Sequence, residues 1–188
     1  MFFRNLSTRG AVIGEMRGGV GVPKTIVEQC ILLKNRVMHE ARKSGFRGLD
    51  EIWAVFDVDD HDLSEALPLA QKHSIKCAIS NPCIEVWGLF HDKEVARAFH
   101  RHEAQRELSK VMPNYHHEKT PGFNWDWCRS RYLDACVNAT RARVNRENEG
   151  SPFPKDVPSS NFDRLLAAFD QRVEEISSTP TWSEWIDK

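Results

Sequence analysis

The apolar positions of this chain change period several times, and each change marks an element. Ile26, Cys30, Leu33 and Val37 recur three or four residues apart, with Val27 and Ile31 beside them, which predicts an amphipathic helix. Pro23 stands at its first turn and Gly45 just past its end, the usual places for those residues. Ile52-Trp53-Ala54-Val55-Phe56 is instead an unbroken apolar run that stops at Asp57. Such a run, rich in β-favouring residues, predicts a buried strand of a parallel sheet. From Asp62 to His73 the helical period returns in Leu63, Ala66, Leu67 and Ala70, and Pro68 inside it requires a kink or a later start. Ile75 to Ser80 reads as a second short core strand. Strand, helix and strand in this compass predict a βαβ unit with a right-handed crossover.

The rest reads as mostly helical. Asn81-Pro82 predicts a helix start, with Asn81 as N-cap and Pro82 at N1, leading into Cys83 to Phe90, almost wholly apolar except for Glu85. Lys93 to Lys110 predicts a charged helix with Val95, Phe99 and Leu108 inward and Arg97, Arg101 and Arg106 on a solvated face. Pro113 to Pro121 is a loop, and Trp125 to Asn145 a further helix ending among Arg141, Arg143 and Arg146. Those cations fit ordinary dipole pairing at a helix end, with phosphate contact as the other reading. After a connector from Ser151 to Pro158, Ser159 or Ser160 caps a last helix with Phe162, Leu165, Leu166, Phe169 and Val173 inward. Trp182 and Trp185 are expected to fold back onto the core. At the other end, Phe2, Phe3 and Leu6 look like the tail of a helix, Ala11-Val12-Ile13 like a short strand, and Gly18 to Gly21 like a turn. That turn lacks the Gly-Lys-Ser/Thr of a phosphate-binding loop. The expected fold class is α/β: a short, mostly parallel sheet flanked by helices, with a helical C-terminal half. We expect one domain over 1–188, its α/β core at about 10–95 and a helical remainder at about 96–188.

Composition narrows the classes. The chain has 188 residues, 40% apolar and 28% charged, enough to bury a proper core. A formal charge of −1 excludes a strongly basic, general nucleic-acid binder but leaves room for a local basic patch. No apolar run reaches the roughly 18 residues of a membrane span. The first residues carry no signal-peptide pattern, so a cytoplasmic protein without a membrane partner is expected. The five cysteines form no CxxC pair and read as buried free thiols, and the eight histidines show no zinc-binding spacing.

The candidate chemistry sits where the first strand ends. Asp57 and Asp59 stand one residue apart at the carboxyl end of that strand, where open α/β sheets place ligands. Paired carboxylates there call for a cation or a proton, and hard divalent cations such as Mg²⁺ take such oxygen ligands. The plainer reading is two solvated acids capping the next helix. Glu85, a lone acid in an apolar helix start, is either favourable to the helix dipole or a third acid facing that pair.

Trp53-Ala54-Val55-Phe56-Asp57-Val58-Asp59-Asp60-His61, followed by Ala78-Ile79-Ser80-Asn81-Pro82-Cys83-Ile84-Glu85-Val86-Trp87-Gly88-Leu89-Phe90-His91, resembles the RloB family. In that family an apolar strand ending Phe-Asp-x-Asp-Asp precedes a Ser-Asn-Pro-Cys-Phe-Glu-Leu-Trp-type segment at the same spacing. The resemblance covers roughly residues 10–95 and is looser beyond. It implies a TOPRIM-like fold, linked to restriction loci, abortive infection and anti-phage defence, and a Mg²⁺-dependent nuclease. By resemblance Asp57 and Asp59 are the metal ligands, with Mn²⁺ as the alternative to Mg²⁺, and Glu85 joins them as a catalytic acid. Asp60, His61, Asn81 and Pro82 are family-motif residues. The implied partners are DNA or RNA, other copies of the chain, and defence or restriction-modification proteins.

One departure stands out. The family's first strand, with its Glu-Gly-x-Lys-Thr-Glu-type segment, precedes a Tyr-Phe-x-x-Leu helix, and Met1-Phe2-Phe3-Arg4-Asn5-Leu6 matches that helix directly. The sequence thus reads as an N-terminally truncated member, and a non-catalytic scaffold or regulatory role is the competing expectation. A haloacid-dehalogenase-like phosphatase, whose first motif is also a strand ending Asp-x-Asp, is a third, with Asp57 as nucleophile and Asp59 as general acid.

Overall fold

The unit read from residues 52–80 is the frame on which the other elements are laid. The computed structural model describes residues 21–44, 51–117 and 122–168. Among them the order is α1 (Pro23–Ser44), β1 (Trp53–Asp57), α2 (Ala66–Lys72), β2 (Lys76–Asn81), α3 (Glu85–Phe90), α4 (Arg101–Val111), α5 (Trp125–Ser130), α6 (Tyr132–Asn148), β3 (Ser159–Ser160) and α7 (Phe162–Ala167). The expected Ala11–Ile13 strand, the Gly18–Gly21 turn up to Val20, the Gly45 stop and the Trp182/Trp185 tail lie outside the described residues.

β1 and β2 pair in parallel, in a register that sets Trp53 opposite Lys76 and Asp57 opposite Ser80. Alternation along a strand then sorts the side chains. Ala54, Phe56, Cys77 and Ile79 face one way and pack with Val27 of α1 and with Ala66 and Ala70 of α2. Ala78 belongs to the opposite cluster, built on Trp87 and Phe90 of α3, Leu108 of α4 and Ala139 of α6. Each fully buried large side chain contributes about 1.5–3 kcal/mol, so the helices on both faces hold this small sheet. Pro68 resolves as a late start: α2 begins at Ala66, which leaves the proline in the first turn, where its missing N–H is not needed. Lys34 of α1 donates to the carbonyls of His73 (2.6 Å) and Ser74 (3.2 Å), just past the end of α2.

The sheet is mixed rather than mostly parallel, because β3 pairs antiparallel to β2, Ser80 opposite Ser160 and Asn81 opposite Ser159. This strand is two residues long, and a side chain continues its ladder. The Ile79 N–H donates to Asn161 Oδ1 at 2.6 Å, and Asn161 Nδ2 donates to the Cys77 carbonyl at 3.0 Å. Asn161 also donates its own N–H to the Ile79 carbonyl at 3.1 Å. Behind it, the buried Arg143 of α6 holds both carboxylate oxygens of Asp163, at 2.8 and 2.7 Å, and donates to the Ser160 carbonyl. The C-terminal elements are thereby tied to β2 by buried polar bonds.

Four sequence readings need correction here. Asn81 is the last residue of β2, not an N-cap: its Nδ2 donates to the Pro154 carbonyl at 3.0 Å, and the helix begins at Glu85. The expected helix 93–110 is regular only from Arg101. Before it, α6 supplies polar partners, Arg146 to the Ala96 carbonyl (2.7 Å) and Asn145 to the Glu94 carboxylate (2.8 Å), in place of a helical ladder. The helix 125–145 breaks at Arg131, whose N–H closes onto the Cys128 carbonyl, and then runs on to Asn148. Ser159 and Ser160 are strand residues, and the α7 cap position falls to Asn161, though Ser160 Oγ does accept from the Phe162 N–H at 3.2 Å. Of the three terminal arginines, Arg143 is consumed by Asp163, and Arg146 by Ala96 and Glu149.

His91, just past α3, lies in the core with 3% exposure, its ring edge-on to Trp87 at 4.9 Å. Its Nδ1 is 2.9 Å from the Trp87 carbonyl. Burial pushes this imidazole down to about 4, so it stays neutral and donates that bond.

Two outcomes are expected from this packing. Asn161→Ala strands the Ile79 N–H and the Cys77 carbonyl, and it should lower stability by about 2–4 kcal/mol in urea unfolding. Asn145→Ala, whose bond to Glu94 is exposed, should change it little. His91 has a folded value near 4 against about 6.5 when unfolded, so its stabilising effect is complete above about pH 6.5 and is lost as pH falls towards 4. Unfolding midpoints of a His91→Phe variant should therefore fall less steeply over that window, and parallel curves would contradict the assignment.

Candidate functional site

Asp57 closes β1 on the same face as Trp53 and Val55, so its carboxylate is directed towards α3 rather than α1 and α2. Past Asp57 the chain is strapped to the segment leaving β2. The Val58 N–H donates to the Ser80 carbonyl and the Asp59 N–H to the Pro82 carbonyl, both at 2.9 Å. A turn comes next, closed by the His61 N–H on the Val58 carbonyl at 2.8 Å. Asp59 sits in the left-handed region at φ 48°, a conformation aspartate tolerates better than most residues. These bonds hold the two aspartates of the pair on one short, fixed piece of backbone.

Glu85 enters from the first turn of α3 and is buried at 7% exposure. The Tyr115 hydroxyl donates to its Oε1 at 2.7 Å, and the neighbouring Cys83 thiol is directed to the Arg101 carbonyl at 4.0 Å. Arg101, the first residue of α4, brings a cation to the other side. Its Nη1 lies 2.6 Å from Asp59 Oδ2 and its Nη2 3.5 Å from Asp57 Oδ2. The third guanidinium nitrogen, Nε, is buried and has no hydrogen-bond partner among the described residues.

The electrostatics reflect this crowding. Burial and then the charge of Glu85 push the Asp57 carboxyl up to about 7, with Asp59 adding to the rise. Arg101 and the Ile84 N–H, which donates to Asp57, act against it without cancelling it. Burial, reinforced by Glu85, likewise pushes the Cys83 thiol and the Tyr115 hydroxyl up, so both stay protonated as donors. Two aspartates thus share one guanidinium, with the charge of Glu85 acting on Asp57 beside them.

The structure brings Asp57, Asp59 and Glu85 together and leaves the other motif residues outside that group. Asp60 and His61 are exposed on the turn. Asn81 and Pro82 shape the site through backbone and connector bonds, Pro82 by accepting the Asp59 N–H and Asn81 by holding Pro154. Glu85 is the third acid facing the pair, rather than only a favourable charge at a helix start. Arg101, read from the sequence as part of a solvated face, is turned onto the aspartates; Arg97 does stay outside, paired with Glu103. Tyr115 carried no sequence signal for its bond to Glu85, thirty residues away.

Mg²⁺ is commonly held by one or two carboxylates, with water and substrate oxygens completing its shell. The Asp57–Asp59 pair offers that donor chemistry, and the raised Asp57 value marks a place short of positive charge. Among the described residues no group of three or more His, Cys, Asp or Glu side chains is gathered closely enough to hold an ion alone. The two aspartates could supply at most part of a magnesium ion's oxygen ligands, leaving the rest to water or substrate. No helix of the described residues is long and apolar enough to cross a membrane.

No curated protein and no solved structure matches the chain. The family model described as RloB-like protein matches residues 3–169. That span takes in both strands of the parallel unit, the Asp57–Asp59 pair, Glu85, and the arginine and tyrosine that contact these acids. The chain belongs to the RloB-like protein family.

Proposed function

We propose that this protein is a Mg²⁺-dependent, TOPRIM-type nuclease acting on DNA or RNA in anti-phage defence. The observation that carries this reading is the cluster at the end of β1: two aspartates and a glutamate within mutual influence, with one arginine to offset them. Such a concentration of acid is costly unless it serves to hold a cation. Family membership supports the context, and the parallel β1–β2 pair is compatible with a TOPRIM-like core.

In this reading Asp57 and Asp59 hold the cation. When bound, that ion would offset charge on a phosphodiester and lower the pKa of a water. The protein's own part is positioning. The backbone bonds from Val58 and Asp59 fix the spacing of the two carboxylates. The Tyr115 hydroxyl holds Glu85 in place beside Asp57, so that its charge strengthens the pull on a cation without leaving the core.

The chain should cleave nucleic acid in the presence of Mg²⁺ or Mn²⁺ and stop on addition of a chelator. A panel of single-stranded and duplex DNA, tRNA and other RNA identifies the preferred polymer. Asp57→Ala and Asp59→Ala should each lower the rate on the order of 10²-fold or more. Cleavage that survives both substitutions would sink the assignment, and cation binding without turnover on any polymer would favour the scaffold role.

A further inference from the structure

Arg101 is the one residue of this cluster whose role neither the motifs nor the metal reading accounts for. Its guanidinium reaches the Oδ2 atoms of both Asp57 and Asp59, which are oxygens that a cation held by the pair would use. We propose that Arg101 is a place-holding cation: its guanidinium and a divalent ion occupy the Asp57–Asp59 pair by turns. This rests on the pair being a cation site, as proposed above.

Several features of the contact suit exchange rather than permanence. The grip is uneven, 2.6 Å on Asp59 and 3.5 Å on Asp57, so the fork is not the parallel two-bond pairing that makes arginine–carboxylate contacts strong. The Arg101 side chain is 42% exposed, and its carboxylate partners about a quarter, so the guanidinium has an open way into water. Ion pairs with that much solvent contact contribute little. The buried Nε has no acceptor, and departure of the side chain would return that donor to water. Contrast Arg143, which is 2% exposed and holds Asp163 with two short bonds. That arginine is built to stay.

A divalent ion brings twice the charge to the same oxygens and satisfies both acids at once. The displaced fork would then stand at the lip of the site without its carboxylates, where an anionic oxygen is its natural next partner. Without the ion, Arg101 keeps the two aspartates from repelling one another and so preserves their geometry.

The test is Mn²⁺ binding to the metal-free full chain, monitored by electron paramagnetic resonance, with no nucleic acid present. Arg101→Gln should bind Mn²⁺ about two- to fivefold more tightly than the unsubstituted protein, the scale of one half-exposed ion pair. Arg101→Lys should fall between them. Binding lost in Asp57→Ala but equal or weaker in Arg101→Gln would overturn the place-holding role and leave the cation site standing. Absence of Mn²⁺ binding in both the unsubstituted protein and Arg101→Gln would overturn both. Should Arg101→Gln not fold, Mg²⁺ titration of the unsubstituted protein by NMR decides. The Arg101 Nε–H signal, assigned by its loss in Arg101→Lys, should shift together with the Asp59 carboxyl carbon. A carboxyl carbon that moves while the arginine signal does not would refute the exchange, and so would silence in both.

Discussion

The site depends on a single constraint: two aspartates are fixed to backbone that cannot retreat from a third acid. Asp57 is the final residue of a core strand, and the Asp59 N–H is tied to Pro82 on the way out of the neighbouring strand. Glu85 comes three residues after Pro82 and is buried, with Tyr115 holding it. Neither side can move away without breaking hydrogen bonds that belong to the fold. Burial, and then the repulsion from Glu85, raise the Asp57 carboxyl to about 7, and Arg101 lies against the pair. A protein that needed only a stable turn here could have placed asparagine or serine at these positions and avoided the charge.

The remainder of the fold makes that constraint hold. A parallel pair of short strands has little stability alone, and its far edge would be open after β2. Asn161 closes that edge by presenting its side-chain amide where a strand would present backbone, and Arg143 holds the turn behind it through Asp163 and Ser160. On the near side, α3 and α4 approach closely at Gly88, where an added Cβ would lie 2.7 Å from Leu108. This close contact sets α4 against α3, and with it the position of Arg101 at the head of α4. Core packing and site electrostatics are linked through these few contacts.

The parts legible in the sequence are those that depend on local pattern. The period of two strands and two helices, the break in helical pattern at Pro68 (read as a kink or a later start) and the position of Asp57 at a strand end all come from neighbouring residues. The features that escaped are non-local. Arg101 meets Asp57 across 44 positions and Asn161 meets Ile79 across 82, and nothing beside either residue signals the contact. The irregular stretch before α4 escaped because α6 holds it by side-chain bonds, to the Glu94 carboxylate and the Ala96 carbonyl, which no helical period can reveal. Glu85 lay in between: its oddity in an apolar run was visible, but only the fold shows that its charge acts on Asp57 as well as standing in the first turn of α3.

That Asp57 and Asp59 form a cation site is open to direct measurement by anomalous diffraction from crystals of the full chain soaked in Mn²⁺. One strong peak is expected within coordination distance of the carboxylate oxygens of both aspartates, with the Arg101 guanidinium moved off Asp59. A saturating soak that leaves no peak there, or that places manganese only elsewhere on the chain, would contradict the assignment.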